Sequence, residues 1–427
     1  MVADTATPAR PAPRRRARRL LKALALLGVL AMLALAWISR PNRAAALILD
    51  RAGAALGLEI SAAGVSEYRL RGTPMLLVRD VVVREPGAAT PLLSARRIQL
   101  SLPWSTIRSA GDALTVERVE LDAPLLDLPA LQHWLASRPP STQTRIPTLT
   151  DGLRIVDGRL VNHDWRIEAI HADLPALYPD RPVRARLRGR YLDAPLSIPF
   201  DLAVALSRPA PAAGLGANGR ITIEQSGWRL PATVALSGPL RIGDDELTIV
   251  PARLGAAASY ESGDTHLPFA LGLHGPLKFD EAVWSLEPVA LALRARGAAD
   301  NPIPSLDAQG ALALGRRLVL QLDGRLASWP QAWPALPAPL DAAAPLPFEL
   351  RYVGRPDLSE TVGLRLSQGQ TQVDSEFRLP AMLAWIDAGN RGAPLPPLRA
   401  RLRTPKLEIS GATLEAVEVE LGDEDLP

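Results

Sequence analysis

The chain has no cysteine among its 427 residues. Disulfide bonds, thiolate metal sites and cysteine nucleophiles are therefore excluded, including the disulfide framework that supports many small exported domains. With 47% hydrophobic residues, the chain has enough apolar surface for a large folded body, so disorder is not expected. The stability of that body must come from side-chain packing and backbone pairing.

Histidine is also scarce, and the residue patterns of common catalytic sites are missing. The five histidines are His133, His163, His171, His266 and His274, and no two of them have the i, i+4 spacing of a zincin helix. His266 and His274 would point to the same face of a strand but would lie roughly 26 Å apart along it, too far for one metal ion. There is no G-x-S-x-G, no Walker A and no G-x-G-x-x-G between a strand and a helix. We therefore predict no catalytic residue, no metal site, no cofactor and no enzymatic activity.

Net positive charge is confined to the N-terminus, although the whole chain has a net charge of +3. Residues 1–22 carry six net positive charges, so residues 23–427 are net negative by three. A basic segment beside an apolar run serves membrane topology and anionic headgroups. Nucleic acid is therefore not a predicted partner.

One long hydrophobic run stands out, from Leu20 to Ile38, with Lys22 as its single charge. As a helix it would be roughly 28 Å long, about the hydrocarbon thickness of a bilayer. Five arginines precede it between residues 14 and 19, whereas only Arg40 and Arg43 follow, which predicts a cytoplasmic N-terminus. A cleaved signal peptide is the alternative, because Ala34-Leu35-Ala36 has the small-x-small pattern of a cleavage site. We favour a retained anchor, since the run is longer than a usual signal core and continues through Trp37.

The pattern after the anchor predicts four segments. Residues 1–19 form a basic cytoplasmic tail, 20–39 the transmembrane anchor and 40–57 a short juxtamembrane helix. Residues 58–427 form the exported domain, in which apolar residues recur with period 2. Glycine and proline make up 72 of the 427 residues, without a fixed period, which favours frequent turns. We count more than twenty short strand candidates, so the domain is predicted to be almost all β.

A few stretches depart from this strand pattern. Leu128–Ser137 and Leu379–Gly389 have helical spacing, and Ser328–Leu340 is too rich in proline for a central strand. Asp157-Gly158 is the strongest hairpin signal in the chain. In LTVERVEL the apolar residues shift from even-numbered to odd-numbered positions, which predicts a bulge near Glu117 and Arg118 that keeps them on one face of the strand.

Several strands carry a charged face. In the stretch around Leu187, apolar residues on one strand face alternate with four arginines on the other. The same alternation after Leu398 places Arg399, Arg401 and Arg403 on one face. We interpret these arginine rows as solvated faces with acidic neighbours rather than as binding sites. Other strands have small residues behind large ones, as in FALGL, which suits a sheet curved around a lined interior or an ordinary sandwich core.

Several of these stretches together resemble the AsmA family of envelope proteins of Gram-negative bacteria, including its TamB-like and YhdP-like members. The resemblance begins with the anchor and short helix followed by LGLEISAAGVSEYRLRGTPMLLVRDVVV, and continues through PLLSARRIQLSLPWSTI and LTVERVELDAPLLDL. It is clearest at GLRIVDGRLVNHD and WRIEAIHADL, and LEISGATLEAVEVELGD is similar to the closing strands. The resemblance covers nearly the whole chain but rests on patterns of aliphatic residues and glycine.

The resemblance implies an elongated, twisted antiparallel sheet that forms a taco-like β-groove with an apolar inner face. It also implies inner-membrane anchorage, a periplasmic body and movement of phospholipids between the inner and outer membranes, in support of outer-membrane biogenesis. The expected partners are phospholipid acyl chains and the inner membrane, with an envelope protein as a further candidate partner. The inward aliphatic residues predicted to line the groove are Ile98, Leu100, Leu102, Leu187, Phe269, Leu271, Leu273, Val289, Leu291 and Leu293. The alternative hypothesis is a non-enzymatic assembly or scaffold factor that pairs its strand edges with another envelope protein.

Overall fold

The structure is a computed structural model, and it describes residues 53, 57–63, 67–69, 72–108, 115–137, 146–243, 246–297, 301–333, 335–388, 395–409 and 412–422. The predicted anchor and cytoplasmic tail lie outside these ranges, as does the predicted juxtamembrane helix apart from Gly53 and Gly57. No helix within the described ranges is long and apolar enough to cross a bilayer.

The described residues form 24 strands and three short helices. The N-terminal strands are β1 Glu59–Ala62, β2 Glu67–Arg69, β3 Met75–Arg84, β4 Leu93–Ser101, β5 Thr115–Val116, β6 Arg118–Asp122, β7 Leu125–Asp127 and β8 Thr148–Leu149. The middle strands are β9 Leu153–Val161, β10 Arg166–Leu174, β11 Val183–Asp193, β12 Leu196–Leu206, β13 Ala212–Gln225, β14 Trp228–Ile242, β15 Leu247–Ser262, β16 Thr265–Asp280 and β17 Val283–Ala295. The C-terminal strands are β18 Leu306–Leu314, β19 Leu318–Leu326, β20 Leu346–Gly354, β21 Thr361–Gln368, β22 Thr371–Arg378, β23 Leu398–Ile409 and β24 Ala412–Leu421.

The three helices are α1 Trp104–Arg108, α2 Leu128–Ala136 and α3 Leu379–Ala388. Both predicted helical stretches are therefore confirmed as α2 and α3. Asp127 begins α2 because its carboxylate accepts a hydrogen bond from the Ala130 amide, and Pro129 occupies the first turn, where no amide donor is needed.

Twenty-two of the strands join in one sheet, which confirms the mainly β prediction. From β9 to β24 each strand pairs antiparallel with the next along the chain. The expectation of a wholly antiparallel sheet is wrong at one place, since β9 runs parallel to β6 and β7. The chain crosses through α2 before it returns to the sheet, and such a crossover is what a parallel pairing requires.

The predicted hairpin at Asp157-Gly158 is also wrong. β9 continues through both residues, and the chain turns instead between Asn162 and Trp165, where the Asn162 amide donates to the Trp165 carbonyl over 2.9 Å. Asp157 has a φ of +55° and lies where the register with β10 shifts, so it forms a bulge within the strand. The bulge predicted near Glu117 and Arg118 is instead an interruption between two strands, because β5 ends at Val116 and pairs with β8, whereas β6 starts at Arg118 and belongs to the large sheet.

A line of glycines and bulges crosses the longest strands. Gly238 in β14 faces the irregular register of β15 between Ile249 and Ala252, and Gly275 in β16 faces the irregular register of β17 between Leu286 and Val289. A Cβ atom at Gly275 would overlap the Pro288 carbonyl oxygen of β17. Bulges bend a strand and glycines admit close backbone approach, so the strands bend along this line.

Two deeply buried residues lie beside this line. Val289 is 1% exposed and Ile249 is 2% exposed, and both belong to one apolar cluster that extends from β14 to β23. Close approach of the neighbouring backbones and packing within this cluster keep both side chains away from water.

The Gly275→Ala variant tests this close approach. The added methyl group must displace the Pro288 carbonyl, so we expect a loss of about 1–3 kcal/mol of stability, measured by urea denaturation. Gly272→Ala in the same strand is the matched control, because its nearest neighbour would be the Ala292 carbonyl oxygen at 4.0 Å. Equal stability of the two variants would show that the backbones do not approach closely at Gly275.

Candidate functional site

A continuous row of apolar side chains crosses the sheet on one face. Following the paired residues from strand to strand, each position of this row is aliphatic or glycine. We call it the aliphatic row, and it consists of Val78, Ile98, Leu121, Ile155, Ala172, Leu187, Leu202, Gly219, Val234, Ala256, Leu271, Leu293, Leu306, Leu326 and Leu346. The face that carries it is the aliphatic face of the sheet.

The row unites four of the ten predicted site residues: Ile98, Leu187, Leu271 and Leu293. Five others lie on the same face in neighbouring positions of β4, β16 and β17, namely Leu100, Phe269, Leu273, Val289 and Leu291. Leu102 follows the end of β4 and is therefore not part of the strand pattern. Nine of the ten are half-buried, and only Val289 is buried.

Sequence reasoning missed most of the other row members. Leu202, Val234 and Leu306 alternate with small or polar residues in their strands, and this alternation could have identified them. Their alignment with Leu187 and Leu271 could not have been identified, because it depends on the register of every intervening strand pair.

The aliphatic face has no second layer of sheet over it. Among the described strands, only the two-residue pair of β5 and β8 lies outside the large sheet. From Ile98 to Leu306 every row position is half-buried, whereas the ends are buried, with Val78 at 3%, Leu326 at 3% and Leu346 at 0% exposure. The central part of the row therefore remains accessible from one side.

The opposite face of the sheet, called the outer face, carries charged side chains that form ion pairs with one another. The Arg188 guanidinium lies 3.1 Å from the Asp201 carboxylate of the neighbouring strand, and Arg186 lies 4.0 Å from it. Arg401 and Arg403 contact the Glu418 carboxylate in the same way, at 3.4 and 3.1 Å. The prediction that the arginine rows have acidic neighbours is confirmed.

Two shifted pKa values reflect ion pairs on this face, one between neighbouring strands and one within β10. A hydrogen bond to Asp374 raises the pKa of Arg365, which also contacts Glu349 at 3.3 Å. The Arg166 guanidinium lowers the pKa of the Glu168 carboxyl. These exposed ion pairs keep the outer face soluble, and each contributes little to stability.

Aromatic pairs mark the margins of the aliphatic face, near the strand ends. The ring centroids of Trp165 and Tyr191 lie 5.6 Å apart, and those of Trp228 and Tyr260 lie 5.9 Å apart. Phe279 and Trp284 form a third pair, at 4.7 Å, near the opposite ends of their strands. Tyr and Trp combine an apolar body with a polar tip, so they suit a boundary between apolar surface and water.

The described residues contain no cluster of three or more His, Asp or Glu side chains arranged to hold a metal ion. Two of the five histidines pair with acids, His133 at 3.7 Å from Glu85 and His266 at 3.4 Å from Glu261. A cavity of about 400 Å³ beside α2 includes His133 and His163 in its lining. None of the ten predicted site residues lines that cavity.

The pKa of the Tyr191 phenol tests whether the margin of the aliphatic face is shielded from water. Burial and the nearby Asp193 carboxylate raise the pKa of the Tyr191 phenol. The neutral phenol is therefore favoured in the fold, and its contribution to stability is present below the ordinary pKa of about 10 and is lost as the pH rises through the raised value. Asp193→Asn should lower this pKa toward the ordinary value while leaving the effect of burial. Ultraviolet titration, with the Tyr191→Phe spectrum subtracted, measures it, and an unchanged pKa would show that Asp193 does not act on the phenol.

Comparisons of the chain with protein-family models, with curated proteins and with solved structures return no match. The candidate site therefore rests on the geometry of the aliphatic face itself.

Proposed function

We propose that the aliphatic face binds the acyl chains of phospholipids and that the protein helps to move these lipids between membranes. The observation that carries this proposal is the aliphatic row, which stays half-buried and uncovered from β4 to β18. Twelve strands take part, so the accessible row is about 50 Å long at the usual strand spacing of roughly 4.8 Å.

The energetic argument follows from the area of this surface. Transfer of apolar surface out of water is favourable by about 25 cal/mol per Å². Monomeric soluble proteins rarely leave a contiguous apolar patch larger than a few hundred Å² uncovered, and such patches usually mark a binding site. Acyl chains are long, flexible and wholly apolar, so they match a surface that is long and offers no fixed polar contacts.

The same proposal gives the sheet the form of a groove. We infer that the strands bend toward the aliphatic face at the line of glycines and bulges through Gly238, Gly275 and Gly310, where the register shifts and the backbones approach closely. In such a groove the acyl chains lie against the aliphatic row, and the headgroups project into water past the aromatic margins.

The cellular setting belongs to the proposal as well. The apolar run of residues 20–39 and the arginines before it would place the protein in a bacterial inner membrane with the strands on the periplasmic side. There an AsmA-like role in supplying phospholipid to the outer membrane fits both the anchor and the aliphatic face.

A scaffold that pairs with another envelope protein is the second candidate function. It is favoured by β24, which pairs only with β23 among the described strands and exposes Leu414 by 46% and Val419 by 41%. A strand with one unpaired edge can accept a partner strand.

Paired substitutions on the two faces test lipid binding. In the double variant Leu202→Glu with Leu273→Glu, two charges are placed on the aliphatic face, where they cannot be solvated beneath an acyl chain. We expect phospholipid to co-purify with the parent in mild detergent and to be lost from this variant, as measured by mass spectrometry.

The control uses the next residue in each strand, which points to the opposite face. Ala203 and His274 are both exposed, so Ala203→Glu with His274→Glu adds the same charge without touching the aliphatic face. This control should retain lipid, and circular dichroism should show that all three proteins are folded. Absence of lipid from the parent would overturn the proposed function and favour the scaffold.

A further inference from the structure

We propose that the lipid-binding surface is a closed compartment rather than an open conduit, and that residues 327–345 form the stop at its C-terminal end. This inference rests on the proposed function and concerns how far along the sheet a lipid can move. The segment 327–345, which joins β19 to β20, is called the strap, and Pro334 within it lies outside the described residues.

Exposure along the aliphatic row changes abruptly at the strap. Leu306 in β18 is half-buried like the positions before it, whereas Leu326 and Leu346 are 3% and 0% exposed. Phe348 and Leu366, on the aliphatic face of the neighbouring strands, are 5% and 3% exposed, as deeply buried as Ile249 and Val289 beside the glycine line. Protein side chains on the aliphatic side therefore cover the row at β19 and β20.

The strap provides that cover. Leu340, itself 9% exposed, belongs to the apolar cluster that contains Leu326 and Leu346, and Trp329 and Leu336 pack against the cluster. Every strand residue of that cluster lies on the aliphatic face, so these strap side chains occupy the place where an acyl chain would otherwise lie.

Hydrogen bonds and a ring contact fix the conformation of the strap, and further hydrogen bonds tether it to β21. The Trp329 amide donates to the Ala342 carbonyl over 3.0 Å, which closes the strap on itself. The rings of Trp329 and Trp333 pack edge to face at 4.9 Å. At the far end, the Asp341 amide donates to the Gln368 side-chain oxygen over 2.7 Å, and the Gln368 amide donates back to the Asp341 carbonyl over 3.4 Å.

Helix α2 covers the other end of the row. Its residues Ala130, Leu131 and Trp134 pack against the cluster that contains Val78 and Val81, which are 3% and 2% exposed. The accessible row thus lies between α2 and the strap. A lipid bound there has room along about 50 Å of sheet but meets protein side chains at both ends.

Photo-crosslinking of the full-length protein tests this arrangement. The probe is a phospholipid with a diazirine in its acyl chain, supplied in vesicles of phosphatidylethanolamine and phosphatidylglycerol, and mass spectrometry maps the labelled peptides. We expect label on the aliphatic face of β9 to β18, including Leu187 and Leu271, and none at Phe348 or Leu366.

A loosened strap should change that map. Leu340→Ser with Gln368→Ala removes the buried anchor and the tether, and we expect label to appear at Phe348 and Leu366. The control is Leu395→Ser with Gln372→Ala, since Leu395 is 58% exposed and Gln372 is exposed on the outer face. If the double variant fails to fold, Gln368→Ala alone should give the same change in smaller degree.

The outcomes separate this inference from the proposed function. Label at Phe348 and Leu366 in the parent would overturn the closed compartment and leave lipid binding intact. No label on any strand would overturn both. A folded strap variant whose map equals that of the parent would overturn the role of the strap as the stop.

Discussion

The structure depends on one constraint: a single long sheet must keep an aliphatic face apart from water without a second sheet to cover it. Strands that follow one another along the chain pair antiparallel from β9 to β24, and the strand residues of the main apolar cluster all fall on one side. In a sandwich that side would pack against a partner sheet. Here the protein bends the sheet at a line of glycines and bulges, covers both ends of the aliphatic row and leaves its middle half-buried.

The bend and the end covers have different physical origins. Gly275 and the bulge before Val289 allow neighbouring backbones to approach closely, and a bulge bends the strand that contains it. α2 and the strap instead contribute their own apolar side chains, and the row residues beneath them are buried. The outer face instead carries exposed cross-strand ion pairs, such as that of Arg365 with Asp374.

Much of the local structure could be predicted because side-chain alternation records burial directly. Leu187 between arginines indicates a half-buried strand whatever the rest of the fold does, and the two helical stretches follow from their spacing. Asp157-Gly158 shows the limit of such reasoning. A positive φ serves a hairpin turn and a bulge equally well, and only the register with β10 decides that it is a bulge. The parallel pairing of β9 was likewise beyond prediction, because it depends on where the chain returns after α2.

The sequence by itself determined that residues 58–427 form mostly strands, which residues of each strand are apolar, and that no cysteine or common catalytic motif is present. Only the tertiary structure decided that Ile98, Leu187, Leu271 and Leu293 share one row and that the strap covers its far end. The reason is that alternation is a property of one strand, whereas a row depends on the register of every neighbouring pair. A proline-rich connection likewise carries no local signal of the surface on which it packs.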